Sequence, residues 1–77
     1  MDDYFRAVIA DTLKTNAENL IDESTVETVP EWDSLTHWSV ITRLESVYNV
    51  EFTMDEATEF KDLGEIYSTI MGKLQKK

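Results

Sequence analysis

Glu31-Trp32-Asp33-Ser34-Leu35-Thr36-His37-Trp38-Ser39-Val40-Ile41-Thr42-Arg43-Leu44-Glu45-Ser46-Val47-Tyr48-Asn49 is the stretch on which the reading of this chain turns. It holds no glycine or proline after Glu31. Asp33 is a good N-cap, because a short carboxylate can accept from the unpaired amides of a first helical turn. Val40, Ile41, Leu44, Val47 and Tyr48 then share one face at about 100° per residue, and His37 falls on that face. Leu35, Thr42 and Ser46 fall on the opposite side, and Trp38 lies on the boundary. The stretch therefore reads as an amphipathic helix that opens at Ser34 and ends near Asn49.

On either side of this helix the chain is also helical in pattern. Tyr4, Phe5, Val8, Ile9, Thr12 and Leu13 make one apolar stripe, which predicts a helix from about Asp3 to Thr15 with Asn16 as its stop. Asp2 and Asp3 suit the positive end of its dipole. Ala17 to Glu31 has no clean period and reads as an ordered loop, anchored by Leu20, Ile21, Val26 and Val29 and closed by Pro30. A loop of more than about 12 residues in a small domain is usually functional or disordered, and the aliphatic anchors favour function. Thr53-Met54-Asp55-Glu56 has the form of a capping box and predicts a short helix to about Phe60. Asp62 caps a last helix whose stripe is Leu63, Ile66, Tyr67, Ile70, Met71 and Leu74, with Lys73, Lys76 and Lys77 at its negative end. The expectation is a single all-α domain over residues 1–77. It is a small four-helix bundle, with three long helices, one short helix and a long loop between the first two. Trp32 is expected as a packed loop anchor, and Met54 and Met71 as core or pocket-edge residues.

Charge narrows the function. Sixteen acidic residues stand against seven basic ones in 77, a net −9, with no cysteine and one histidine. Nucleic acid and anionic membranes need a basic patch, so neither is an expected partner. No metal site is expected either, since the cysteine–histidine pattern of structural zinc is absent. No run approaches the ~18 apolar residues of a membrane span, and Met1-Asp2-Asp3 lacks a basic signal-peptide flank. The expected location is the cytoplasm, as a monomer. Between Lys14 and Arg43 there is no basic residue, while Glu18, Asp22, Glu23, Glu27, Glu31 and Asp33 all lie in that window. Such a surface either keeps a small protein soluble or docks a positively charged partner.

Trp32-Asp33-Ser34-Leu35-Thr36-His37 resembles the attachment region of acyl carrier proteins, whose D-S-L core opens the second helix after a long loop. The resemblance extends to length, acidity and the tail Leu44-Glu45-Ser46-Val47-Tyr48-Asn49-Val50-Glu51-Phe52. It implies a carrier and not an enzyme. Ser34 would receive a 4′-phosphopantetheine arm from coenzyme A and carry acyl groups on it as thioesters. Asp33 would add transferase docking to its capping role. Implied partners are a phosphopantetheinyl transferase, an acyl-loading ligase or acyltransferase, and ketosynthases or other acyl-processing enzymes with basic patches. Leu35, Trp38, Glu45, Asp55 and Glu56 are the expected docking residues. Pro30-Glu31-Trp32 stands where carriers of fatty acid synthesis read leucine, glycine and a small residue. W-D-S-L followed by T-H is closer to stand-alone carriers of polyketide-like or other specialised acyl transfer. The alternative is an acidic helical interaction module that is never modified. Asp33, Ser34 and His37 also spell the residue types of a hydrolytic triad, but the face of His37 and the lack of an oxyanion hole speak against it.

A net −9 on so short a chain opposes compaction. Added NaCl should raise the melting midpoint at neutral pH by screening. Millimolar Mg²⁺ should raise it more per mole, by loose binding between carboxylates. A midpoint that is flat or falls in both salts would show that local ion pairs outweigh the global repulsion.

Overall fold

Four α-helices are present in a computed structural model that describes residues 1–75: α1 (Asp3–Leu13), α2 (Ser34–Tyr48), α3 (Met54–Glu59) and α4 (Leu63–Gln75). A single 3₁₀ turn, Ala17–Asn19, interrupts the long α1–α2 connection. No strand occurs among the described residues, and no helix there is long and apolar enough to cross a membrane. Lys76 and Lys77, expected at the end of the last helix, lie outside the described residues.

Each helix begins on a side-chain cap. Asp2 accepts from the Phe5 amide at 2.8 Å and starts α1. Thr53 and Glu56 form the reciprocal capping box of α3, with bonds of 3.1 and 2.8 Å. Asp62 accepts from the Glu65 amide at 2.9 Å in the first turn of α4. Two helices end on left-handed residues, Lys14 (φ 60°) and Asn49 (φ 54°), whose amides bond back to Ala10 and Glu45. Helix α1 thus stops short of the expected Thr15. Leu13 is its last core residue, and the chain must reverse there to bring Leu20 inward.

The core runs through all the long elements. Phe5, Ile9 and Leu13 from α1 meet Val40 and Leu44 from α2 and Leu63, Ile66 and Ile70 from α4. Leu20, Val29 and Trp32 bring the long loop into the same cluster. Two expected anchors behave otherwise. Ile21 and Val26 are about half exposed, at 56% and 50%. Both sit in tight turns: Ser24 bonds back to Ile21, and Val29 back to Thr25. Such turns leave the intervening side chains outside while Leu20, Ser24 and Val29 face in. Met54, expected in the core or at a pocket edge, is instead exposed in the first turn of the short α3, where Ala57 is the buried residue. Tyr4 lies outside the core and packs edge-to-face on Tyr48 at 6.0 Å.

The loop is stitched to α4 by backbone. Two amides of its first turn, which have no partner within the helix, donate to the loop: Leu63 to the Ser24 carbonyl at 3.1 Å and Gly64 to the Asp22 carbonyl at 2.9 Å. A Cβ at Gly64 would lie 3.2 Å from both the Asp22 side chain and its carbonyl oxygen. The glycine is what lets helix and loop approach so closely.

Leu44 has no solvent exposure and Leu35 is 80% exposed on the same helix. Leu44→Ala should cost about 2–5 kcal/mol through lost burial and a cavity. Leu35→Ala should change stability by less than about 0.5 kcal/mol. Urea or thermal melts of the two variants check this, and equal damage from both would contradict the facing of α2.

Candidate functional site

The start of α2 is built by two side chains that cap each other. Asp33 is extended, and its Oδ1 accepts from the Leu35 and Thr36 amides, both at 2.9 Å. Thr36 Oγ1 accepts from the Asp33 amide at 2.8 Å and donates its proton to the Glu31 carbonyl at 3.0 Å. The capping role of Asp33 follows from the sequence. The return bond from Thr36 was not expected, although D-x-x-T is a variant of the S/T-x-x-E/Q signature and could have signalled it. These bonds hold the Asp33 carboxyl below the usual carboxylate range, chiefly through the Thr36 amide and then the Leu35 amide.

Ser34 is the first residue of α2 and is exposed. Among the described residues its hydroxyl has no hydrogen-bond partner. The Leu35 and Thr36 amides beside it are already taken by Asp33. A phosphate on Ser34 would therefore draw on the positive end of the helix and on solvent, not on those two amides.

Trp32 and His37 flank Ser34 in the sequence and are joined in a relay of hydrogen bonds that runs on to α3. The Trp32 indole, 4% exposed, donates from Nε1 to His37 Nδ1 at 3.2 Å. An indole N–H can only donate, so Nδ1 carries no proton. His37 Nε2 then carries it and donates to the Ala57 carbonyl of α3 at 2.6 Å. The rings of Trp32 and His37 stack at 5.9 Å and 21°. His37 is thus a packed residue with both nitrogens engaged. Neither is free to take a proton from Ser34, so Asp33, Ser34 and His37 do not assemble as a triad.

Ser34 opens onto a cleft of about 380 Å³ between the long loop, the start of α2 and the segment after α3. Trp32 and His37 form its base, and Trp38, Phe60 and Lys61 stand around it. Lys61 and Phe60 were not singled out as site residues, because nothing in their local sequence links them to Ser34 twenty-odd residues away. Trp38 is 43% exposed beside the cleft and Leu35 projects into solvent. Of the expected docking acids, Asp33 lines the cleft and Glu45, Asp55 and Glu56 do not. Glu45 is half-buried and accepts from the Phe52 amide at 3.0 Å, tying the link that follows α2. Glu56 is shared between the α3 capping box and an ion pair with Lys73 at 2.9 Å. Lys73 is the first cause that lowers its carboxyl below the usual range. Asp55 is exposed on α3.

The depressed carboxyl of Asp33 makes the α2 cap pH-dependent. Its contribution is fully present above the ordinary aspartate range and is lost as pH falls through the lower, folded-state value. Wild type should therefore exceed Asp33→Ala in melting midpoint at neutral pH, and the gap should close only well into acid. An NMR titration of the Asp33 carboxyl should place its midpoint below that of an unstructured aspartate. A midpoint at or above that value would remove the amides as the cause.

Neither a scan against protein-family models nor a search of curated proteins returns a match for this chain, so the chemistry of the site is argued from its own residues.

Proposed function

We propose that this chain is an acyl carrier protein with the architecture of a small four-helix bundle. Ser34 takes a 4′-phosphopantetheine arm from coenzyme A and holds acyl intermediates on it as thioesters. The observation that carries this reading is Ser34 itself: an exposed hydroxyl, uncommitted to any bond among the described residues, at the capped start of a helix and on the rim of a cleft. A carrier needs a nucleophile that a separate transferase can reach, and a fixed point from which a tethered group is presented. The residues fit the group. No partner of the hydroxyl has to be displaced, and a phosphodiester at a helix N-terminus meets favourable dipole charge. When bound, the arm supplies the thiol that a chain without cysteine does not have.

The chain's own residues position and do not catalyse. Asp33 and Thr36 fix the helix start, and the Trp32–His37 pair holds the loop against it. Leu35 and Trp38 offer exposed apolar contact on the helix that Ser34 opens, as an anchor for partner enzymes. Exposed acids such as Asp55, with Glu45 and Glu56 behind, steer basic patches on those partners. The partners are a phosphopantetheinyl transferase, a loading ligase or acyltransferase, and ketosynthase-like enzymes of fatty acid, polyketide-like or other specialised acyl transfer. The working place is the cytoplasm.

Incubation with coenzyme A, Mg²⁺ and a broad-specificity transferase should add one phosphopantetheine, read by intact mass. Ser34→Ala should add none while its helical circular dichroism is unchanged. Wild type that stays unmodified with several transferases would leave the chain as an unmodified interaction module.

A further inference from the structure

We infer that the cargo is a short acyl group bearing a hydroxyl or carboxylate, seated in the cleft beside Ser34, and that His37 is the residue that bars longer alkyl chains from the core. This rests on the carrier reading above. A group tethered to Ser34 can fold back into the cleft, whose volume of about 380 Å³ is near the low end of the ~300–1,000 Å³ of ligand pockets. Trp32 is both the floor of the cleft and a member of the core. Leu20, Val40, Leu44, Ile66 and Ile70, the core behind it, line no part of it. An alkyl chain moving inward must part Trp32 from His37 and His37 from Ala57. That leaves a buried indole N–H and a buried carbonyl without partners, a penalty that a few methylenes do not return.

The walls outside this floor suit an oxygenated group better than a hydrocarbon tail. Val26 and Trp38 are 50% and 43% exposed, so an alkyl chain laid on them stays half in water. Thr25 Oγ1 accepts from the Glu27 amide, which leaves its proton free to donate into the cleft. Lys61 lines the same cleft and makes no ion pair among the described residues. A cargo hydroxyl or carboxylate thus finds a donor and a positive charge.

Loading in one step isolates the question. A promiscuous transferase moves the acylated arm from an acyl-coenzyme A. The Ser34 Oγ–phosphorus bond forms, the phosphoanhydride bond breaks, adenosine 3′,5′-bisphosphate leaves, and the serine proton goes to the transferase. Holo, acetyl, malonyl, 3-hydroxybutyryl and octanoyl forms are made this way and verified by intact mass. No loading at all overturns the carrier reading, and this inference with it. With loading achieved, the malonyl and 3-hydroxybutyryl forms should melt a few degrees above the holo form and shift the fluorescence of Trp32 and Trp38, the chain's two tryptophans. The octanoyl form should melt with the holo form and leave the Leu44 and Ile66 amide resonances in place. In His37→Ala, the octanoyl form should melt above its own holo form. Trp32→Phe, which keeps a ring and removes the donor, is the second variant. If both variants unfold, the wild-type series decides. Octanoyl stabilisation of wild type equal to that by 3-hydroxybutyryl, or equal midpoints for every thioester, overturns the inference and leaves the carrier reading standing.

Discussion

The indole of Trp32 has to be buried and also has to donate, and much of this molecule is arranged around that double demand. The ring fills space beneath the long loop, where its removal from water is favourable. Its N–H goes with it and must find an acceptor there. His37 supplies one, and in doing so is fixed as the neutral ring with its proton on Nε2. That proton goes to the Ala57 carbonyl, so one satisfied donor joins the loop, α2 and α3 in series. Ser34 lies between Trp32 and His37 in the sequence and inherits a fixed position without being spent in the network.

Charge is distributed so that few cations serve structure. Arg6 pairs with Asp3 at 3.3 Å, Arg43 with Asp11 at 3.4 Å and Lys73 with Glu56 at 2.9 Å. The first two are exposed and worth little on their own. The third is partly sheltered and does more by placement, because Glu56 also caps α3. It therefore fastens the shortest helix to α4. That compensates for a helix of six residues, which is too short to hold its conformation by itself. In the long loop Asp22 pairs with the Met1 ammonium at 2.8 Å, while Glu18, Glu23, Glu27 and Glu31 make no ion pair among the described residues.

The helices and their starts were legible because their causes are local. Asp33, Thr53 and Asp62 cap the next turn whatever the rest of the chain does, and the stripes of α2 and α4 follow from a fixed period. The faces assigned to Leu35, His37 and Leu44 needed nothing beyond that period. Composition determined that the chain lacks a basic stripe, a zinc pattern and a thiol. The identity of Ser34 as the residue to watch came from its place after a capping aspartate, together with the resemblance.

Tertiary structure alone decided what the long loop does, because turns select inward residues by backbone geometry and not by apolarity. Ile21 and Val26 are as apolar as Leu20 and Val29, yet hydrogen bonds from Ser24 and Val29 turn the first pair out and the second pair in. The cleft is the clearest case. Ser34, Thr25 and Lys61 carry no common periodicity, and only the folding of loop and α3 onto α2 brings them to one rim. Contacts of that kind are set by which surfaces bury each other, a property of the whole chain that no local window of residues contains.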